Sequence, residues 1–328
     1  MPQAGDPNTV VSRSLLANFS AVLKNMVLPE ILGIPADRDA VEEYWTAERI
    51  AGAKPFPLRA LPRDPAPGLI DQEQLKSLLR GFGKRSRNKS SPPPDAESAW
   101  FKALVAPPFD TERVPNRGAF PYSAIGKMVA QVGGNDFAGT AWVVGDRAIV
   151  TAGHCLFDDN SQQWATHVAF MPQFDDQPAR GIWYGASSHT LSGWTGGGPN
   201  AAAFDLGAVI LEQPIASTTG TIGWRANIAA NQQLLQAVGY PSDWVSAAYD
   251  FDGKHMWSCN GNYVGGSSVI GMNNNMTRGS SGGPWLKQDP QGRIFACGLN
   301  SHYNEDHSNV MYSPYFGQGI INLIRAVG

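Results

Sequence analysis

The chain has 328 residues, of which 42% are apolar and 16% charged, and its formal net charge of −3 excludes a molecule-wide basic surface for nucleic acid or anionic lipid. Its 36 glycines and 24 prolines favour short strands joined by turns over a helical bundle. No stretch reaches the roughly 20 apolar residues that cross a bilayer, and the length of about two typical domains allows a large core.

Residues 1–82 show helical patterns in three places. Between residues 14 and 28, apolar side chains recur at steps of three and four, the spacing of one buried helical face. Asp39 is suited to cap a second helix, and residues 70–79 predict a third that ends at Gly81. The second helix carries the apolar residues Val41, Tyr44 and Trp45. We therefore interpret residues 1–82 as a mainly helical N-terminal segment.

A basic, Ser/Pro-rich stretch follows this segment. Residues 83–95 read G-K-R-S-R-N-K-S-S-P-P-P-D and carry no apolar periodicity, as is typical of a linker. The basic run from Lys84 to Lys89 would suit a nucleic-acid tail, but so short a run is more typical of a solvated stretch or a cleavage site. We interpret residues 83–112 as a linker and processing region, and residues 113–328 as the folded domain.

After Phe120 the pattern changes to short apolar runs between Gly, Asn, Asp and Pro. Such runs predict strands, for example at residues 125–132, 139–144, 148–151 and 206–211. Because no long amphipathic helix separates them, antiparallel barrels or sandwiches are favoured over a parallel sheet. Apolar residues at helical spacing predict a terminal helix over residues 313–327.

Three residues suit amide hydrolysis by a serine hydroxyl, which needs a base, an acid that orients the base, and donors for the developing oxyanion. His154 follows an apolar strand in T-A-G-H-C, where small neighbours let the imidazole turn into a cleft. Ser281 lies in G-S-S-G-G-P, whose glycines permit a tight turn with outward N–H groups. Asp205 opens an apolar strand, where an acid is costly without a partner. A hydrogen bond from the inner ring nitrogen of His154 to Asp205 would fix the tautomer of the histidine. The outer ring nitrogen would then be free to accept a hydrogen bond from Ser281.

Other residues compete for the acid role or for a metal. Four more aspartates are candidates for the orienting acid, although none precedes so clear an apolar strand: Asp175, Asp176, Asp250 and Asp252. The stretch from His302 to His307 contains metal-ligand residue types but lacks the paired spacing of a zinc site, so a solvated loop is favoured. The sequence therefore predicts neither a metal site nor a cofactor.

In chain order, T-A-G-H-C, D-L-G-A-V-I-L and G-S-S-G-G-P resemble the three signatures of trypsin/chymotrypsin-like serine peptidases. Residues 113–125, the turn from Gly239 to Pro241 and the closing helix are similar to the bacterial and fungal glutamyl-endopeptidase-like branch. The resemblance implies a mainly β fold of two six-stranded antiparallel Greek-key barrels, with the triad in the cleft between them. It also implies an oxyanion hole made by the backbone N–H groups of Gly279 and Ser281.

Two departures from the family pattern are informative. Ser280 stands where animal members carry an aspartate that pairs with the N-terminus freed by activation cleavage, so that switch cannot operate here. Ala138 stands where a cysteine usually faces the one after the catalytic histidine, so the resemblance implies that Cys155 is an unpaired, buried thiol. Three cysteines allow at most one internal disulfide, and pairing of Cys259 with Cys297 stays open.

The resemblance also places the walls of the primary specificity pocket. Asn275, Met276 and Arg278 line one wall, and Asn300 and Ser301 line the other. Glutamate-specific relatives have a histidine at the position of Asn300, and this chain lacks it. A preference for Lys or Arg would require a carboxylate at position 275, where this chain has the neutral Asn275. We expect a preference for neutral-polar or medium apolar side chains, with Arg278 at the rim able to attract an acidic one.

Two functions are compatible with these observations. The first is a serine endopeptidase made as a zymogen, whose N-terminal segment is an inhibitor or folding aid. Its expected partners are that segment and a protein or peptide substrate, with no nucleic acid and no membrane, and we expect a monomer. We expect secretion, although the opening residues do not resemble a secretory signal, which leaves an intracellular location or another export route open. The alternative is a catalytically silent binding or scaffold protein that keeps the barrels.

Overall fold

Short apolar runs separated by turn residues fold into a mainly β structure, as predicted. The computed structural model describes residues 6–14, 38–61, 109–228, 234–243, 249–303 and 309–328. Many of the strand positions hold β-branched and aromatic residues, which fit a pleated and half-buried surface. Within the described ranges, no helix has the length and apolar character needed to span a bilayer.

The secondary-structure elements are numbered here in chain order. The strands are β1 Val10–Ser14, β2 Lys54–Pro55, β3 Arg59–Ala60, β4 Phe109–Arg113, β5 Ile125–Val132, β6 Asn135–Val143, β7 Ala148–Thr151, β8 Phe157–Asp158, β9 Gln163–Trp164, β10 Thr166–Pro172, β11 Trp183–Leu191, β12 Gly207–Leu211, β13 Gly223–Trp224, β14 Leu234–Gly239, β15 Trp257–Gly266, β16 Val269–Asn273, β17 Pro284–Gln288, β18 Ile294–Leu299, β19 His302–Tyr303 and β20 Val310–Pro314. The α-helices are α1 Arg38–Tyr44, α2 Ala47–Gly52, α3 Ser192–Thr195, α4 Ala216–Thr219 and α5 Gln318–Val327. Single turns of 3-10 helix occupy Tyr122–Ala124, Gly153–Cys155 and Ala201–Phe204.

Six antiparallel strands close into the first barrel. Their order is β11, β10, β5, β6, β7 and β12, and β12 pairs back onto β11. Trp142, Phe170 and Met128 are wholly buried in the cluster that fills it, and burial of such side chains is the main stabilising term in folding. In this closed barrel, β7 lies directly beside β12 and pairs antiparallel with it.

A second set of six strands forms the second barrel, in the order β18, β17, β14, β15, β16 and β20. Each neighbouring pair is antiparallel. The backbone N–H of Leu299 donates to Ser313 Oγ at 2.9 Å, which ties the two end strands β18 and β20 together. Trp285, Met272 and Phe251 are buried in this barrel's own core.

The predicted strands and terminal helix are present, with some shifted ends. β5 and β7 occupy the predicted residues, whereas β6 already begins at Asn135. The terminal helix begins at Gln318 and not at Ser313, because Ser313 and Pro314 belong to β20. A proline fixes its own backbone and restricts the residue before it to extended conformations, which separates the strand from the helix.

The described part of the N-terminal segment adds strands to both barrels. β1 pairs antiparallel with β11, β2 pairs parallel with β6, and β3 pairs parallel with β19. The helix predicted near Asp39 corresponds to α1, which begins one residue earlier. The helices predicted over residues 14–28 and 70–79 lie outside the described residues, apart from Ser14, which ends β1. Sheet hydrogen bonds therefore attach this segment to the barrels.

The predicted division at residues 82 and 112 stays a prediction. β4 begins at Phe109, inside the proposed linker, and pairs antiparallel with β15 of the second barrel. Residues 83–108 lie outside the described residues. The sheet of the second barrel thus includes the last residues of the proposed linker.

All three cysteines are free thiols. Cys155 is buried, as expected, and Cys259 and Cys297 do not form a disulfide. Burial raises the pKa of both Cys259 and Cys297 to about 11. They therefore stay protonated and unreactive at neutral pH.

Helix α5 provides a test of this packing. Leu323 is wholly buried in the core cluster of the first barrel, whereas Arg325 on the same helix is exposed. We expect Leu323→Ala to lower the free energy of unfolding by about 2–5 kcal/mol. The matched control Arg325→Ala should change it by less than about 0.5 kcal/mol. Urea unfolding measures both, and equal losses in the two variants would contradict the described packing.

Candidate active site

The topology of the first barrel places His154 beside Asp205. His154 lies in the turn that follows β7, and Asp205 lies just before β12. Because β7 and β12 are antiparallel and Thr151 pairs with Gly207, the end of one strand meets the start of the other. A Cβ on Gly153 would lie 3.0 Å from Asp205 Oδ1, so glycine at this position permits the close approach.

His154 and Asp205 share two hydrogen bonds. His154 Nδ1 lies 2.8 Å from Asp205 Oδ2, and the backbone N–H of His154 donates to Oδ1 at 2.6 Å. Both side chains are almost wholly excluded from solvent. A carboxylate can only accept, so Nδ1 carries a proton, and in the neutral imidazole Nε2 is left as an acceptor.

The two partners shift each other's pKa. Burial alone would raise the pKa of Asp205, but the facing His154 imidazole holds that pKa well below its ordinary value. Burial disfavours a charged His154, yet the Asp205 carboxylate outweighs this and raises the pKa of the imidazole. Asp205 therefore stays ionised and stabilises the imidazolium that forms when the ring accepts a proton.

A second imidazole stands behind Asp205. Ser301 Oγ donates to Asp205 Oδ2 at 2.5 Å and also contacts His302 Nδ1. A hydroxyl has one proton, so His302 Nδ1 is the donor to Ser301 Oγ. Burial lowers the pKa of His302 to about 4, although Asp205 opposes this. His302 is thus a neutral donor, and the hydroxyl of Ser301 faces the carboxylate.

The loop that carries Ser281 turns sharply at two glycines. Gly279 and Gly282 have φ angles of 87° and 84°, a region that side chains disfavour. A Cβ on Gly282 would lie 2.1 Å from Thr151 Oγ1, so the contact with β7 also excludes a side chain. Among the described residues, the backbone N–H groups of Gly279 and Ser281 donate to no other group. Both remain candidates for the expected oxyanion hole.

Thr140 of β6 ties this loop to the first barrel. Its N–H donates to the carbonyl of Ser281 at 2.8 Å, and its hydroxyl donates to the carbonyl of Gly279 at 3.0 Å. The same hydroxyl accepts from the N–H of Tyr240 at 3.0 Å, and the residue is wholly buried. Thr140 therefore fixes the loop on both sides of Ser280.

His154 and Ser281 are not hydrogen-bonded to each other. His154 Nε2 and Ser281 Oγ are both buried, and neither has a hydrogen-bond partner in the described part of the chain. Ser281 is nevertheless close to the His154 turn, because the Cβ position of Gly139 is 3.3 Å from both Cys155 Sγ and the Ser281 carbonyl oxygen. The structure thus joins His154 to Asp205 and brings the carbonyl of Ser281 near the turn that carries His154, without a hydrogen bond between His154 and Ser281.

Sequence comparison finds two curated bacterial relatives, while no family model matches the chain. Glutamyl endopeptidase of Bacillus licheniformis (strain ATCC 14580) is 29% identical over 181 residues, which cover 53% of this chain and 54% of the relative. A protein of Bacillus subtilis (strain 168) named extracellular metalloprotease is 24% identical over 179 residues, 52% of this chain and 56% of the relative. The chain spans about half the length of these curated relatives.

Among solved structures, a thermostable serine protease, AL20, from an extremophilic microorganism is 31% identical. The match covers 62% of this chain and 97% of that protein, with a TM-score of 0.53. The chain belongs to the chymotrypsin-like serine peptidases. The predicted family is therefore confirmed, and the similarity to glutamyl endopeptidase agrees with the predicted branch.

The positive charge of Arg278 is already paired in this structure. Its guanidinium bonds Asp243 through two contacts, Nη2 to Oδ1 at 2.6 Å and Nε to Oδ2 at 2.9 Å. Two parallel bonds of this kind hold an arginine in a fixed orientation. Asp243 therefore competes with any acidic substrate group for Arg278.

The other expected pocket residues are buried and uncharged. Asn275 accepts from Thr111 Oγ1 at 2.6 Å. Asn300 Nδ2 donates to the carbonyl of Ser280 at 3.2 Å and lies 3.6 Å from the sulfur of Met276. These contacts join the two expected walls of the pocket, and neither wall presents a buried charge to a substrate side chain.

The competing aspartates are paired elsewhere or exposed. Three of the four alternative aspartates form ion pairs elsewhere, Asp175 with Arg117, Asp176 with Lys254 and Asp252 with His255, and Asp250 is exposed. Of the stretch from His302 to His307, residues 304–307 lie outside the described residues. The described ranges contain no group of three or more His, Cys, Asp and Glu side chains that could hold a metal ion.

Sequence reasoning missed two residues of the site. Thr140 is one of several polar residues in strands, and no motif marked it. His302 was weighed only as a metal ligand, although it directly follows Ser301. The adjacent Ser301 was the signal available in the sequence, because two polar residues at the end of a buried strand need hydrogen-bond partners.

Thr140 can be tested through stability. Thr140→Val keeps the shape but leaves the carbonyl of Gly279 and the N–H of Tyr240 unpaired, which should cost about 1–3 kcal/mol for each group. Thr140→Ser keeps the hydroxyl and should cost about 1 kcal/mol for the lost methyl group. Urea unfolding compares the two, and a serine variant no more stable than the valine variant would argue against the two bonds.

Proposed function

We propose that the chain is a serine endopeptidase that acts through an acyl-enzyme, with His154 as general base, Asp205 as orienting acid and Ser281 as nucleophile. The observation that best supports this proposal is the buried hydrogen bond between His154 Nδ1 and Asp205 Oδ2 at 2.8 Å. This bond leaves Nε2 of the neutral ring as the acceptor that a general base requires. The nearby loop supplies a hydroxyl and two backbone N–H groups without other partners among the described residues.

The proposed reaction has two halves. Ser281 Oγ attacks the substrate carbonyl carbon while its proton passes to His154 Nε2, and the carbonyl oxygen becomes an oxyanion beside Gly279 and Ser281. Collapse breaks the C–N bond, and the amine leaves with the proton from His154. A water molecule then attacks the acyl-enzyme and loses a proton to His154. Collapse breaks the bond between the carbonyl carbon and Ser281 Oγ, His154 returns the proton to that oxygen, and the acid is released.

We propose that the preferred side chain at the cleaved bond is neutral. The buried amides of Asn275 and Asn300 and the thioether of Met276 provide no charge, and burying an unpaired carboxylate or ammonium is costly. Arg278 is engaged by Asp243, so its attraction for an acidic side chain is reduced. This preference differs from the activity in the name of the Bacillus licheniformis relative.

We also propose secretion and synthesis as a zymogen. One curated relative is named an extracellular protein, which supports secretion. The zymogen proposal is supported by the burial of the site, since His154 is 3% exposed and Ser281 is 0% exposed.

The nucleophile is tested by Ser281→Ala. We expect loss of all cleavage of fluorescently labelled casein and of all labelling by a fluorophosphonate, because the alanine has no hydroxyl to acylate. Both assays are run on the chain before and after an incubation that permits self-processing. Residual cleavage by the alanine variant would point to another nucleophile, and an unlabelled but folded wild-type chain in both states would support a silent scaffold.

The role of Asp205 is tested by the pH dependence of Asp205→Asn. The carboxylate raises the pKa of His154, and only neutral His154 accepts a proton, so removing the charge should shift the acidic limb of kcat/KM to lower pH. The rate on the plateau should fall about 10⁴-fold, because the amide can stabilise the wrong tautomer. A variant with an unchanged acidic limb and a nearly normal rate would remove Asp205 from the mechanism.

A further inference from the structure

A segment of the N-terminal region crosses the cleft between the two barrels. This segment, residues 54–61, is called the strap below. At one end β2 pairs with β6 of the first barrel, and at the other β3 pairs with β19 beside the second. The N–H of Phe56 donates to the carbonyl of Ala138, and that of Leu61 donates to the carbonyl of Tyr303, both at 2.8 Å.

Phe56 covers the candidate base and the nucleophile loop. It is 2% exposed, and its ring stacks on Phe137 with centroids 5.2 Å apart. The ring also meets the His154 imidazole edge to face at 6.3 Å. The Cβ position of Gly139 is 3.2 Å from Phe56 Cδ2 and 3.3 Å from the carbonyl oxygen of Ser281. Phe56 therefore occupies space beside the reacting groups.

Arg59 anchors the strap by charge. Its Nη2 lies 2.6 Å from Asp158 Oδ1 and 2.5 Å from Asp159 Oδ1, and its guanidinium is 5.9 Å from the Trp194 ring. All three charged side chains are only 20–28% exposed, so solvent screens the contact less than it screens a surface pair. Because the single guanidinium of Arg59 faces the carboxylates of both Asp158 and Asp159, the surface beneath the strap would carry a net negative charge once the strap has left.

The strap covers the site without presenting a bond for cleavage. The N–H groups of Gly279 and Ser281 donate to no described group, so no strap carbonyl lies in the candidate oxyanion hole. Pro55 and Pro57 flank Phe56 and restrict the backbone to extended conformations before binding. Such a preordered segment loses little entropy when it binds.

We propose that the strap is an inhibitory peptide carried in the same chain, and that the surface beneath it binds extended peptides with an aromatic residue three positions before an arginine. The aromatic side chain lies between Phe137 and His154, and the arginine binds Asp158 and Asp159. The main chain adds to the edges of β6 and β19, a mode in which backbone bonds give affinity and side chains give selectivity. This inference rests on the proposed peptidase function.

The test compares full-length variants by the rate at which a fluorophosphonate labels Ser281. Arg59→Ala should label about ten times faster than the wild type, because loss of a charge-assisted contact frees the strap. Arg13→Ala is the control: Arg13 lies in β1 of the same N-terminal region, its side chain is exposed, and β1 pairs with β11 and not with the strands that hold the strap. It should label at the wild-type rate. Phe56→Ala should behave like Arg59→Ala and serves as the second variant if one of them fails to fold.

A synthetic peptide with the sequence of residues 54–61 identifies the ligand class. Added to the Arg59→Ala chain, it should slow labelling back toward the wild-type rate. The same peptide with its phenylalanine and arginine both replaced by alanine should have no effect.

The outcomes separate the two proposals. If the wild type already labels as fast as Arg59→Ala and Phe56→Ala, the strap does not inhibit, while the peptidase function stands. If no variant labels, even after cleavage has released the segment, the peptidase function fails and the inhibitory role fails with it.

Discussion

The structure depends on keeping one buried carboxylate, that of Asp205, hydrogen-bonded. Asp205 is 0% exposed and accepts from the backbone and ring of His154 and from the hydroxyl of Ser301. A buried charge that loses a partner destabilises a protein by several kcal/mol. His154 belongs to the first barrel, and Ser301 lies between β18 and β19 on the side of the second. The need to satisfy this charge therefore holds the two barrels together at the cleft.

Thr140 makes a second link between the barrels, from β6 to the nucleophile loop. Asp205 positions the proposed base, His154, and Thr140 positions the loop of the proposed nucleophile, Ser281. Both residues are wholly buried and lie on the first barrel side. Buried contacts therefore fix the proposed catalytic groups, an arrangement that would orient them before a substrate binds.

The sequence could predict those features that depend on local pattern. Apolar runs located β5 and β7, and three short motifs marked His154, Asp205 and Ser281 as the candidate site, because a strand end or a glycine turn is encoded by neighbouring residues. The sequence could not predict β2 and β3, since two-residue strands have no periodicity and form only against β6 and β19. The roles of Thr140 and His302 also depend on partners more than 90 residues away. The terminal helix was predicted too long because Ser313 and Pro314 are recruited by pairing with β16.

Strand β1 has a consequence for how the N-terminal region could be lost. The described residues 6–14 and 38–61 are held at three places, by β1 on β11, β2 on β6 and β3 on β19. A backbone cut after residue 61 would therefore leave a two-chain complex, in which each attached strand keeps the others at a high effective concentration for rebinding. Departure would then be governed by dissociation, and added salt would hasten it by screening the guanidinium of Arg59. In such a protein the moment of cutting and the moment of activation are separate events.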